Sequence, residues 1–187
     1  MLEHVPAFLG RALRNVRAGH SELVAAKLLA DGARDPAAFA LTSPAFASGA
    51  PMPARFTADA DGDPVSPPLA WEQSPEGTSA LVLVVEDPDA PDIAPLCHSL
   101  VWGREAGPGA LTEGASPPAQ GRNSYQQSEW LAPDPPTGHG PHDYVFQLFA
   151  VNEVPALEKG SGRSAVVEAI EGKVVGLALL SGTYERA

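Results

Sequence analysis

The sequence holds a single cysteine, Cys97, which excludes an internal disulfide and any cysteine-rich zinc cluster. Basic residues are also scarce. Twelve Lys and Arg face 23 Asp and Glu, a formal charge of −11 that argues against nucleic-acid binding, since nothing offsets phosphate repulsion. No uncharged apolar run approaches the roughly 18 residues a membrane helix needs. The early apolar stretch over residues 5–10 is broken by Pro6 and ended by Arg11, so no secretory signal is expected. No phosphate-binding loop, dinucleotide fingerprint, H-E-x-x-H or G-x-S-x-G motif occurs. These absences predict a reduced, cytoplasmic protein without stable membrane insertion.

What is present suits one domain. At 187 residues and 44% hydrophobic composition, the chain can bury roughly 70% of the surface its unfolded form exposes. Proline and glycine are unevenly spread: residues 44–141 hold 17 of the 20 prolines and 10 of the 18 glycines. Long helices are therefore excluded from that stretch. Charge is uneven too, with +2 over residues 1–34 and −13 over residues 35–187.

Periodicity reads as a helical N-terminal arm followed by a body of strands separated by Pro/Gly loops. Over residues 5–17, Val5, Leu9, Ala12, Leu13 and Val16 share one helical face, and Arg11, Arg14 and Arg17 the other. Ser21 is the expected cap of a second helix over residues 22–30. The continuous apolar run over residues 81–85 predicts a strand buried on both faces, and residues 144–151 a central strand. Residues 98–102 alternate, placing His98, Leu100 and Trp102 on one side and Ser99 and Val101 on the other. A helix over residues 164–175, capped by Ser161 or Ser164, and a last strand over residues 177–184 complete the pattern. Short strands between turn signals predict a mainly β fold of two packed antiparallel sheets.

The candidate chemistry sits where loops meet strands. Asp87-Pro88-Asp89-Ala90-Pro91 follows the buried strand, His98 starts the next, and Pro133-Asp134-Pro135-Pro136-Thr137-Gly138-His139-Gly140-Pro141-His142 leads into the central one. Taken singly, these read as an Asx turn, a core histidine and a rigid connector. No pair has diagnostic metal spacing, so neither metal nor cofactor is expected. Cys97 and His98, as strand neighbours, point to opposite faces, which counts against a cysteine nucleophile, and Ser124 lacks a nucleophile elbow.

In combination the segments say more. Ser66-Pro67-Pro68-Leu69-Ala70-Trp71, the Asp87 motif, His98, the segment from Pro135-Pro136 to His142 and Tyr144, and Gly182-Thr183-Tyr184 resemble the phosphatidylethanolamine-binding protein family. They are closest to its bacterial Raf-kinase-inhibitor-like branch, over residues 39–185, which implies a helical N-terminal extension, 1–38, and a β domain, 39–187. The resemblance implies a sandwich with peripheral helices and a small anion pocket lined by Asp87, Asp89, His98, Pro135, Pro136, His142 and Tyr144. It implies a cis bond at Ala90–Pro91, and Asn123-Ser124-Tyr125 resembles the polar segment of bacterial members. It departs from the family at Leu96-Cys97, where an aromatic or histidine usually precedes the pocket histidine, and at Ser99, where tryptophan is frequent.

Histidine and tyrosine hydrogens suit phosphate oxygens. The aspartates fit such a site if one of them accepts from a histidine and favours its charged form. The preferred reading is a non-enzymatic, regulatory binding protein for a small anion or phosphorylated headgroup. Alternatives are a kinase- or protease-inhibiting module with a protein partner, or an Asp/His hydrolase. The amphipathic arm, with its apolar stripe and basic face, predicts a homodimer through the N-terminal extension, or docking on its own acidic body.

Overall fold

A computed structural model describes residues 7–30 and 36–186. Two helices come first, α1 (Ala7–Leu13) and α2 (Val24–Ala30). Short strands follow: β1 (Ala37–Ala38), β2 (Leu41–Thr42), β3 (Ala50–Pro51) and β4 (Leu69–Trp71). The long strands are β5 (Ala80–Asp87), β6 (Leu96–Arg104), β8 (His142–Val151) and β9 (Val174–Tyr184), with β7 (Gly109–Leu111) and α3 (Arg163–Ile170) between them.

The large sheet has the order β1-β9-β8-β5-β6, and β3 also pairs with β9; the small sheet is β2-β4-β7. The sandwich is mainly antiparallel as expected, but β1 and β3 join β9 in parallel. Strand β8 is central, paired to β5 and β9. Its alternation makes two cores. Tyr144, Phe146, Leu148 and Ala150 meet Leu81, Leu83, Val85 and the small sheet's Leu41, Leu69 and Trp71. Phe149 and Val151 on the other face meet Val82 and Val84, Val24 and Ala25 of α2, and Val166 and Ile170 of α3. The molecule is therefore layered as small sheet, large sheet and helices.

Three local expectations fail, two of them for long-range reasons. Ser21 does not cap α2: the Val24 amide donates to Glu86 Oε2 (2.9 Å) and the Ala25 amide to Gln147 Oε1 (2.8 Å), both from the sheet beneath. A carboxylate there complements the helix end as a local cap would. The α3 helix starts after Gly162, with no side-chain cap from Ser161 or Ser164. In β6 the alternation slips, because Val85 pairs with Ser99 while Glu86 pairs with Cys97. This bulge at His98 re-aims one side chain. Leu100 and Trp102 face the helices with Cys97, whereas His98 turns to the face of Tyr144.

The arm lies on its own body. Gly10 is buried against Thr137, where an added Cβ would come within 2.1 Å of the carbonyl oxygen. The Ala18 and Gly19 amides donate to Ala90 O (3.1 Å) and Pro88 O (2.8 Å). The outer side of the arm stays open, with Phe8, Leu9 and Leu13 of α1 and Val16 beyond it between 40% and 61% exposed. Val5, also assigned to that stripe, lies outside the described residues. No helix among the described residues is long and apolar enough to cross a membrane.

Candidate functional site

The ends of β5, β6 and β8 and the loops beyond them enclose a cavity of about 470 Å³. Asp87, His98 and His142 lie at its floor, and Ala90, Pro91, Leu96, Leu131, Pro135 and Pro136 make apolar walls. Sheet geometry explains the floor. Asp87 ends the β5 row that begins Leu81, Leu83, Val85, and His142 starts the β8 row that continues Tyr144, Phe146. The bulge brings His98 to the same side. Of the residues singled out in the sequence, Asp87, His98, Pro135, Pro136 and His142 line the cavity.

Asp89 and Tyr144 do not line it. The Asp89 carboxylate is held by Arg17 of the arm (2.6 Å) and by the Asp143 amide (2.7 Å). Tyr144 is fully buried behind the floor, edge-on to His98 with ring centres 5.1 Å apart. Among the described residues no peptide bond is cis, so Ala90–Pro91 is trans. Trp130 approaches His98 with ring centres 6.1 Å apart, but from the side of the inter-sheet core rather than from the cavity wall.

A buried row of three groups runs from the floor to the arm. His142 Nδ1 meets Asp87 Oδ2 at 2.7 Å, His142 Nε2 meets His139 Nδ1 at 2.7 Å, and His139 Nε2 meets Leu13 O at 2.9 Å. Each gap needs one hydrogen, and the carbonyl supplies none. Two neutral imidazoles and a carboxylate carry two hydrogens, so the three gaps require one more. The row as a whole is neutral. Burial and the neighbouring His142 push the His139 pKa down, which leaves the extra proton between His142 and Asp87. His139 was not among the predicted site residues. Its only sequence signal is its place between Gly138 and Gly140, whose positive φ angles of 80° and 101° turn the loop inward around it.

His142 therefore spends both ring nitrogens inside the protein. His98 does not: Nδ1 bonds Leu131 O at 2.6 Å, while Nε2 is buried without a partner. The Tyr144 hydroxyl is likewise buried and unpartnered. Burial pushes the His98 pKa down, against the opposing pull of Asp87, and pushes that of Tyr144 up. Two further carboxylates line the wall: Asp134 is bonded to Arg186, and Asp92 is exposed, its Oδ1 accepting from the Ile93 amide at 2.6 Å.

Nucleophiles are not presented here. Cys97 packs on the opposite face, its thiol pushed up to about 12 by burial, and Ser124 Oγ accepts from the Cys97 amide at 2.8 Å. Among the described residues the grouping with metal-like spacing is His20, Asp89 and Asp143, outside the cavity, where Arg17 already pairs with Asp89. Asn123 shapes the rim instead: its Oδ1 accepts from the amides of Tyr125 (2.9 Å) and Gln127 (3.1 Å), turning both residues to the cavity.

Known proteins share this frame. A sequence model described as phosphatidylethanolamine-binding protein matches residues 42–185. A UPF0098 protein of Aquifex aeolicus is 35% identical over 151 residues, covering 77% of this chain and 86% of its own. The crystal structure of a Chlamydia trachomatis homolog of phosphatidylethanolamine-binding protein superposes with a TM-score of 0.72 at 34% identity, covering 80% of this chain and 99% of its own. Escherichia coli YbcL, described as a new member of the mammalian family, gives 0.71 at 26% identity over 80% and 99%. Helices α1 and α2 precede the first family-matched residue.

Proposed function

The chain belongs to the phosphatidylethanolamine-binding protein family, and from that premise we propose that it is a regulatory binding protein rather than an enzyme. Its pocket takes the small acidic head of a phosphate- or carboxylate-bearing ligand. The observation that carries this reading is His98 Nε2, a buried polar atom without a partner at the floor of an apolar-walled cavity. Buried polar atoms are rarely left unpaired, because each costs about 1–3 kcal/mol, so an orphan at a cavity floor is suited to a ligand. The apolar walls favour a ligand with a carbon body behind its head. Of the surrounding acids, Asp87 is balanced within the histidine row, Asp89 by Arg17 and Asp134 by Arg186, while Asp92 lies exposed on the wall, where solvent screens its charge.

Titration with inorganic phosphate and with acetate, followed by the ring signals of all five histidines, tests this. The His98 signals are expected to move most, and His98→Phe, which keeps ring volume, to lose binding while staying folded. A His98 ring indifferent to both probes overturns the proposal.

A further inference from the structure

Hydrogen positions around His98 determine which form of an acidic head fits. The Leu131 carbonyl only accepts, so the 2.6 Å contact places the ring hydrogen on Nδ1. That bond is held firmly, because the Leu131 amide donates back to His98 O at 3.0 Å. With one hydrogen on the ring, Nε2 presents a bare lone pair to the cavity. Doubly protonating the ring would put a charge into a fully enclosed site. The groups that act on it are Asp87 and Glu86 from β5, which favour the charge, and His142 from β8, which opposes it. Asp87 is already matched by the extra proton of the histidine row, and Glu86 lies on the other face bonded to Arg163 at 2.5 Å. Trp130 and Tyr144 add no charge.

Resting on the pocket reading above, we infer that the site selects the protonated form of an oxyacid, whose own hydroxyl donates to His98 Nε2. A head carrying one O–H and at least one bare oxygen, such as a phosphomonoester monoanion, meets that requirement. Charge alone is then not what the pocket reads. A fully ionised oxyanion of the same shape brings a lone pair against a lone pair.

Methyl phosphate and methyl sulfate separate these cases. Both are monoanions of similar size at pH 5.5, but only the phosphate carries an O–H, which it loses with a pKa of about 6. Calorimetry on the full chain is expected to give at least about tenfold tighter binding of methyl phosphate at pH 5.5, the scale of one unmade buried hydrogen bond. At pH 8 its binding should weaken by about a hundredfold, following the monoanion fraction. Methyl sulfate does not titrate in this range, so it reports any change in the protein itself. Equal binding of the two esters at pH 5.5 overturns the inference and puts the proton on His98, with the pocket retained. Silence of the His98 ring toward both removes the pocket reading and this inference with it.

Discussion

At residue scale, the hydrogen count of the Asp87-His142-His139 row makes a sharp distinction between two substitutions. In Asp87→Asn, the amide oxygen still accepts from the Asp89 amide, as Oδ1 does now at 2.8 Å, and the NH₂ donates to His142 Nδ1. His142 Nε2 then donates to His139, and His139 to Leu13 O, so every bond survives with no extra proton. In Asp87→Ala both acceptors vanish and the Asp89 amide and His142 Nδ1 lose their buried partner. Urea unfolding at pH 7 should show Asp87→Asn within about 1 kcal/mol of the parent and Asp87→Ala about 2–3 kcal/mol below it. Similar losses for both would mean that the row does not share a proton. None of this arrangement was open to local reading, because its partners come from positions 13, 87, 139 and 142. The sequence showed donor-bearing residues at strand ends; it did not show that Asp89 answers to Arg17 or that His142 is fully engaged.

At element scale, the last two residues of β5 divide the molecule's work by alternation: Asp87 faces the pocket and Glu86 the helices. Glu86 is completely buried, and its carboxylate takes the Val24 amide, Gln147 Nε2 (2.7 Å) and Arg163 Nε (2.5 Å). Removing one member of such a set leaves the other charged without a counterion, which is costlier than removing both. Arg163→Leu is therefore expected to lower stability by about 3 kcal/mol or more, and Glu86→Gln added to it to recover part of that loss. A double-mutant cycle read by urea unfolding checks the sign, and strict additivity would dismiss the ion pair. Strand positions were legible because apolar alternation over residues 81–85 and 144–151 is a local signal. The bulge at His98 and the capping of α2 were not, since each depends on which strand lies alongside or which side chain lies beneath.

At the scale of the whole molecule, the arm is part of the fold and also reaches beyond it. Its inner side is anchored by Leu23, Val24 and Ala25 in the helix-side layer and by Arg17 on Asp89. Its outer side leaves Phe8, Leu9, Leu13 and Val16 open beside Arg11 and Arg14. The arm's inner side thus rests on its own body, while the apolar stripe expected to be covered remains open. We propose that a second copy covers it. The chain beyond residue 34 carries −13 against the arm's +2, so another copy's body offers the complementary charge, whereas an anionic membrane would repel that body. Covering what remains open of each stripe residue contributes about 1 kcal/mol, roughly half of full burial, while surface ion pairs around it add little. Association should accordingly persist in high salt and depend on the stripe. Light scattering of the full chain is expected to give the mass of two copies, and Leu9→Glu combined with Leu13→Glu the mass of one, with unchanged circular dichroism because neither side chain is buried. A single-copy mass for the parent at all concentrations, or a dimer indifferent to both substitutions, ends the proposal.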